Sequence, residues 1–494
     1  MAEAPVIHPE PRMLVDGKLV DAESGRTFEN VNPATEQVIG HVADGSSTDM
    51  HQAIAAARRA FDETDWSTNH AFRAHCLQQL QDGLEAVRHE LTEQVIQEAG
   101  APRMLAENGP QVSLPLAHAI TWPIAEIDRF AWETTLPDIV DERSGPTRRV
   151  VRKVPVGVVG AITPWNFPFE VSIVKVAQAL ATGNTIVLKP APDTPFHATL
   201  IARVIAESTD IPAGVVNVVT SSDHLVGEEL TLSPLVDCIS FTGSTAVGKR
   251  IMEKGAATMK RLFLELGGKS AAIILDDADL PSAAMVGFAV CAHSGQGCAI
   301  PTRMLLPRSR YDEGVELVLG YLANAPYGDP QDPGNMMGPL VSAKQRERVL
   351  GHIARGVDEG ATLALGGGRP AHLPTGFFVE PTVFTDVENT MSIAREEIFG
   401  PVLSVIAYDD DDDAVRIAND SSYGLSGMVT SGSLDRAMAV ARRIRTGTVG
   451  VNGGSFYSPD VPFGGFKDSG VGRQNGTAGF DQYLEIQSLA FPAS

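Results

Sequence analysis

Two residues 33 positions apart have the types needed to attack a carbonyl. Glu265 closes the run Arg261-Leu262-Phe263-Leu264-Glu265 and precedes Leu266-Gly267-Gly268-Lys269-Ser270. Cys298 closes Gly295-Gln296-Gly297-Cys298. Glycine neighbours leave a thiol room, and a carboxylate at the end of an apolar strand can act as a base. A thiol nucleophile with a base is the equipment for covalent catalysis on a carbonyl. Each residue alone has an ordinary alternative: an isolated Cys is commonly small core filler, and an isolated Glu is commonly solvated.

Other segments carry chemistry beside them. Pro164-Trp165-Asn166-Phe167-Pro168 lies between a predicted strand and a predicted helix. Its prolines fix the loop, and the Asn166 amide can stabilise an oxyanion beside a thiolate. A turn capped by Asn is the plainer reading of the same letters. In Phe241-Thr242-Gly243-Ser244-Thr245-Ala246-Val247-Gly248, Gly243 permits close backbone approach and Ser244 can cap a helix that receives phosphate. This is not the usual G-x-G-x-x-G pattern. The stretch from Gly470 to Gly476 is nearer in letters, but it follows Lys467-Asp468-Ser469 rather than a buried strand. It is not read as a dinucleotide motif. The acidic run Asp409–Asp413 precedes a predicted helix and suits its positive N-terminal end better than a metal. Cys291-Ala292-His293 fits no standard zinc spacing, so no metal is expected.

Short apolar strands and amphipathic helices alternate strictly from residue 156 onward. Strands are predicted at 156–162, 185–188, 215–219, 238–241 and 262–266, with helices at 169–181, 195–208, 223–232 and 245–256. That alternation predicts a parallel, doubly wound sheet with ligands at the carboxyl ends of its strands. A second alternating block follows. It has strands at 271–275, 303–306, 401–407 and 448–451 and helices at 279–292, 311–324 and 433–445. Upstream, 14–42 reads as edge strands with turns at Asp16-Gly17 and Asn32-Pro33. Residues 49–64 and 70–99 read as helices, and 111–135 as helix kinked or capped by Pro115 and Pro123. The tail Tyr483–Phe491 alternates like an exposed strand and needs a partner sheet, within the chain or on another subunit; pairing across subunits is expected.

The chain has 494 residues, enough for roughly two to four domains with real cores. A net charge of −22 repels nucleic acid and anionic membrane, so neither is an expected partner. Four cysteines in this length make no disulfide framework. The N-terminus shows no basic region followed by an apolar core, and no run approaches the roughly 20 apolar residues that span a bilayer. A cytoplasmic protein with reduced thiols is expected.

These segments together resemble the NAD(P)-dependent aldehyde dehydrogenase superfamily from about residue 14 to the C-terminus. The similarity is carried by Pro164–Pro168, Thr185–Pro190, Pro212–Val218, Phe241–Gly248, Leu264–Lys269, Gly295–Cys298, Glu396–Pro401 and Pro462–Gly470. The resemblance implies an α/β fold with a Rossmann-type cofactor domain (1–130 and 151–256), an α/β catalytic domain (257–466) and a small β oligomerisation element (131–150 and 467–494). It implies Cys298 as nucleophile, Glu265 as general base, Asn166 with the Cys298 N–H as oxyanion hole, and Lys175 at a proton-relay position. It implies cofactor contacts by Thr163, Trp165, Lys189, Gly243, Ser244, Glu397 and Phe399. The implied substrate pocket is lined by Phe167, Val171, Val174, Gly297, Ala299, Tyr457 and Phe463.

The implied reaction is oxidation of an aldehyde to the acid with NAD, NADP being possible, through a cysteine thiohemiacetal and thioester. The implied assembly is a homodimer or homotetramer. A CoA-acylating semialdehyde dehydrogenase and a non-redox thiol esterase are the alternatives, and the retained Glu265 favours hydrolysis over transfer to CoA. Two positions depart from the commonest pattern of the superfamily. Pro192 stands where many NAD-preferring members carry a Glu for the ribose hydroxyls, with Asp193 beside it. Gln474 stands where many carry a second, relay Glu. The implied pocket holds no Arg or Lys for a substrate carboxylate and no aromatic cage, so an uncharged aliphatic or aromatic aldehyde is expected.

Overall fold

The computed structural model describes residues 7–143 and 145–493. Residues 1–6, on which much of the leader reading rests, and Ser144 and Ser494, at the edges of the expected oligomerisation segments, lie outside the described residues.

Val158–Ile162 is a run of small and β-branched residues with no polar side chain, and it becomes the middle of a sheet covered on both faces. Across that sheet the order is Gly470–Val471, Arg261–Glu265, Cys238–Thr242, Val158–Ile162, Thr185–Lys189, Val216–Val218, Met13–Val15 and Lys18–Val20. The five strands between 158 and 265 run parallel. From Val158–Ile162 the chain winds outward through Thr185–Lys189 and Val216–Val218. It then returns to Cys238–Thr242 on the other side. That reversal opens a crevice beyond the strand ends, where doubly wound sheets bind ligands. The helix Pro168–Ala181 starts with Pro in its first turn, where the missing N–H costs nothing, and is buried along most of its length.

The second sheet has the order Thr362–Leu365, Thr382–Thr385, Val402–Tyr408, Pro301–Pro307, Ser270–Ile274, Ser426–Thr430 and Thr448–Val451. All of its pairings are parallel except that of Thr362–Leu365. The chain crosses from the first sheet to the second between Glu265 and Ser270. Glu265 is thus the last residue of its strand, at the seam between the two sheets.

The tail finds one partner strand within its own chain. Leu484–Pro492 pairs antiparallel with Gly145–Pro155 of the same chain, in register from Leu484 opposite Pro155 to Pro492 opposite Thr147. Gly145–Pro155 also pairs with Glu133–Asp141. The eleven-residue Gly145–Pro155 strand is central and serves both neighbours, so the tail is an edge strand with one side paired. This small sheet therefore takes residues 151–155 from the expected cofactor segment, while Gly470–Val471 joins the first sheet instead.

Two further differences have local causes. The helix expected over 70–99 is split into His70–Ala86 and Arg88–Ala99, because Val87 leaves the helical region. The helix expected over 279–292 is α-helical only for Leu280–Ala284 and then tightens into 3-10 turns. Among the described residues no helix is long and apolar enough to cross a membrane.

Candidate active site

The 3-10 stretch ends in three consecutive left-handed residues, His293, Ser294 and Gly295. At Gly295 a side chain has no space, because a Cβ would lie 2.1 Å from the Gly400 carbonyl oxygen. This tight passage turns the chain back and presents Cys298 at the seam. Cys298 is the one partly accessible thiol of the four; Cys76, Cys238 and Cys291 are buried. Burial pushes each of those three up to about 12, where a thiol is inert.

Glu265 sits at the carboxyl end of Arg261–Glu265, its backbone carbonyl accepting from Gly243 N at 3.0 Å. Its side chain is buried, and neither carboxylate oxygen has a hydrogen-bond partner among the described residues. Burial is the main cause that lifts this carboxyl to about 8, eased by the neighbouring Cys298 and by Lys175. Cys298 in turn is raised above its ordinary value, by burial first and by the charges of Glu265 and Glu397 next. Thiol and carboxyl thus share one poorly solvated space. Both are held mostly protonated at rest, and the carboxyl can take the thiol proton once it has ionised.

Asn166 lies on the loop between Val158–Ile162 and Pro168–Ala181. Its Nδ2 donates to the Gln296 carbonyl at 2.8 Å, and its own carbonyl accepts from Gln111 Nε2 at 2.9 Å. An amide nitrogen carries two hydrogens, so one fixes the side chain against the Cys298 loop and the other remains for an oxyanion. Gln296 is itself pinned: its Oε1 accepts from Val341 N at 3.0 Å and its Nε2 donates to the His293 carbonyl at 3.1 Å.

Lys175 is buried on the far side of Glu265. Its Nζ donates to Ser240 Oγ at 3.0 Å and lies 4.5 Å from the centroid of the Phe263 ring. A desolvated cation–ring contact is worth about 2 kcal/mol. Burial outweighs it and brings the ammonium down to about 7, the charge of Glu265 opposing the fall. Ser240 Oγ also meets the Tyr483 hydroxyl at 2.9 Å. Gln474 is buried, with its Oε1 unpartnered among the described residues.

The residues expected to contact the cofactor are placed as follows. Thr163 Oγ1 meets Ser172 Oγ at 3.0 Å. Lys189 ends Thr185–Lys189 and uses one donor, to the Ser221 carbonyl at 3.2 Å, leaving two for another acceptor. Gly243 is bare of necessity, since a Cβ would lie 2.5 Å from the Phe241 ring. Ser244 caps Thr245–Gly255, whose N-terminus opens to solvent and suits an anion. Glu397 Oε1 accepts from Gly268 N at 3.0 Å, and Phe399, in the left-handed region, meets Trp165 edge-on at 5.3 Å.

Two residues that hold this corner were absent from the sequence reading. Arg348 Nη2 donates to the Glu397 carbonyl at 2.7 Å, and Gln345 Nε2 donates to the Phe399 carbonyl at 2.8 Å. Both lie on Ala343–Asp358, whose amphipathic period was the available signal.

Of the residues expected to line the pocket, Gly297 lies against the Phe167 ring, and Tyr457 and Phe463 stack at 6.1 Å, Tyr457 being well exposed. Among the described residues no three His, Cys, Asp or Glu side chains converge on a metal-sized site.

Comparison with known proteins agrees along almost the whole chain. The model of the aldehyde dehydrogenase family matches residues 19–489. A 3-succinoylsemialdehyde-pyridine dehydrogenase of Pseudomonas sp is 44% identical over 478 residues, covering 96% of this chain and 97% of that protein. The crystal structure of a Mycobacterium tuberculosis aldehyde dehydrogenase complexed with NAD+ is 41% identical with a TM-score of 0.93, covering 98% of this chain and 99% of that one. The NAD+ complex of an aldehyde dehydrogenase from Bacillus cereus is 37% identical with a TM-score of 0.93, covering 99% and 98%.

Proposed function

Because this chain belongs to the aldehyde dehydrogenase family, we propose that the thiol–carboxylate–amide constellation at the seam of its two sheets oxidises an aldehyde with NAD+. The observation that carries the assignment of roles is the convergence of the accessible thiol, the buried, unpartnered carboxylate and the half-used amide. Glu265 takes the Cys298 proton, and the thiolate adds to the aldehyde carbon. The oxyanion is received by the second N–H of the Asn166 amide and by the Cys298 backbone N–H. NAD+, when bound, supplies the hydride acceptor for the oxidation, leaving a thioester on Cys298. Glu265 gives that first proton up to solvent and then takes one from water, whose oxygen adds to the thioester carbon. The acid leaves and the thiol is restored.

The residues present fit that cofactor. Lys189 has donors to spare, Gly243 and the capped helix N-terminus form an open anion cradle, and Glu397 and Phe399 are fixed by backbone bonds. NADH absorbance on adding aldehyde tests the reaction; hydrolysis of esters with no NADH formed from any aldehyde would overturn it. Asn166→Ala is expected to lower kcat/KM by about 10²–10³-fold, the scale of one oxyanion donor, while NAD+ still binds. Loss of NAD+ binding in that variant would make Asn166 a structural turn residue.

Pro192 can neither grip ribose hydroxyls nor repel a 2′-phosphate. NAD+ is the expected cofactor, with NADP+ accepted within roughly 1–2 orders of magnitude. Pro192→Glu should widen that gap when kcat/KM is measured with both. Rejection of NADP+ by the wild type beyond about 10³-fold would give the discriminating role to Asp193, which lies close enough to Lys189 and Lys344 to feel both charges.

A homodimer or homotetramer built on the small sheet is supported by its outward apolar residues, Val140, Ile486, Leu489 and Phe491. Light scattering of the full chain decides it. Four free cysteines support a reducing, cytoplasmic setting, which fractionation of expressing cells checks. Among the three units implied by the resemblance, we place the boundary between the cofactor and catalytic units after Glu265 and keep 133–155 with 484–492 as the third, on the sheet memberships. Limited proteolysis reads those boundaries.

A further inference from the structure

Glu170 was not among the residues expected to line the pocket. It lies in the first turn of Pro168–Ala181, one helical turn before Val174 and three residues after Phe167. Residues at i, i+3 and i+4 share a helix face, so Glu170 belongs to the stripe that contains Phe167 and Val174, both expected to line the pocket. Its charge is felt by the Cys298 thiol and by the Tyr457 hydroxyl, which stand on other parts of the chain. Protein surrounds it, yet it keeps partial contact with solvent. A side chain enclosed by protein but still wet lines a channel rather than a core.

No hydrogen bond or ion pair within the described residues satisfies it. Burial alone acts on the carboxyl and lifts it to about 7. The ordinary use of an acidic residue in a first helical turn is to favour the positive end of the helix. That use works equally well on an exposed face, and it does not account for enclosure without a partner. A carboxyl in an apolar channel is costly unless something arriving in the channel pairs with it. The Phe167, Val171 and Val174 walls offer nothing of the kind. The group that completes it is one that shares a proton with a carboxylate: a basic nitrogen.

We propose that Glu170 is a specificity-determining residue that selects aldehydes bearing a basic nitrogen, an amine or a pyridine-type ring nitrogen, at the end remote from the carbonyl. This rests on the channel to Cys298 being the substrate channel, as in the reading above. It revises the expectation of an uncharged aldehyde, which counted only the apolar lining. An ammonium pairs with the ionised carboxyl, and a pyridine nitrogen accepts from the protonated one. In either case a single proton lies between the two groups and the channel is left neutral.

The test compares kcat/KM for isosteric pairs that differ only in the nitrogen: nicotinaldehyde with benzaldehyde, and beta-aminopropionaldehyde with butanal. The wild type should favour the nitrogen member of at least one pair by about 10-fold or more, because a buried polar group left unpaired discriminates strongly. Glu170→Leu should bring that ratio to one or below, and Glu170→Gln should lower it by a smaller factor. A ratio is read within each variant, so loss of folded protein cancels, and the Gln variant answers if the Leu variant does not fold. The pair that responds tells an amine from a ring nitrogen. Ratios near one for both pairs in the wild type, or a preference that survives both substitutions, would overturn the proposal. Failure of the wild type to form NADH from any of the four aldehydes would instead count against the dehydrogenase reading itself.

Discussion

Replacing Cys298 with alanine is expected to abolish aldehyde oxidation while leaving NAD+ binding in place. Losing a covalent nucleophile removes the step that turns the aldehyde into a tetrahedral alkoxide able to expel hydride. The loss should reach at least about 10³-fold in kcat, or roughly 4 kcal/mol of barrier. The cofactor-side groups stand on other elements, Lys189 on Thr185–Lys189 and Ser244 at the head of Thr245–Gly255, so the cofactor should still quench protein fluorescence on binding. Cys76→Ala is the control. Cys76 is fully buried in the core of the first unit, away from the seam, and its removal should cost stability without changing turnover per folded molecule. A fall of less than about 10-fold in Cys298→Ala would remove Cys298 from the covalent role.

Glu265→Gln should separate the two chemical steps. If the carboxylate acts mainly on the deacylating water, rapid mixing will still show a burst of NADH while steady turnover collapses. Absence of the burst would mean that the same carboxylate also draws the proton from Cys298, and an unchanged steady rate would take it out of the mechanism. The pH dependence adds an independent reading. Burial raises Glu265 to about 8, so a base that must be ionised is mostly protonated at pH 7 and becomes available as pH rises. Wild-type kcat should therefore climb through pH about 8, and that limb should vanish in the Gln variant. A flat wild-type profile across this range would contradict the base assignment.

The sequence by itself determined a good deal here. The alternation of short apolar strands with helices from residue 156 onward established two parallel α/β units, because side-chain periods of two and 3.6 are properties of the backbone that no tertiary context can disguise. The glycines around Cys298 and after Glu265 were equally legible. At Gly268 a Cβ would lie 2.3 Å from the Cys298 carbonyl oxygen, so only a bare backbone lets the two motifs meet. Asn166, Gly243 and Ser244 could be singled out because each sits just past a strand end, where the topology puts the crevice, whereas Lys189 rested on the family resemblance alone.

The rest was decided by tertiary structure. Alternation predicted that the tail is a strand, but pairing depends on which edge is free, and Gly145–Pro155 of the same chain supplied it. The expected helix over 279–292 stays α-helical only to Ala284, and the chain then passes through the left-handed His293 and Ser294 to Gly295, which packs against the Gly400 backbone; nothing local announces a neighbour 105 residues away. Gln345 and Arg348 hold the backbone of Glu397 and Phe399 from a helix some 50 residues distant, a relation no spacing rule encodes. Glu170 is the sharpest case. As a letter it is an ordinary acidic residue in a first helical turn. Its enclosure opposite Cys298 and Tyr457 arises only once three separate elements close around it, because burial and charge coupling are properties of packed space rather than of the chain.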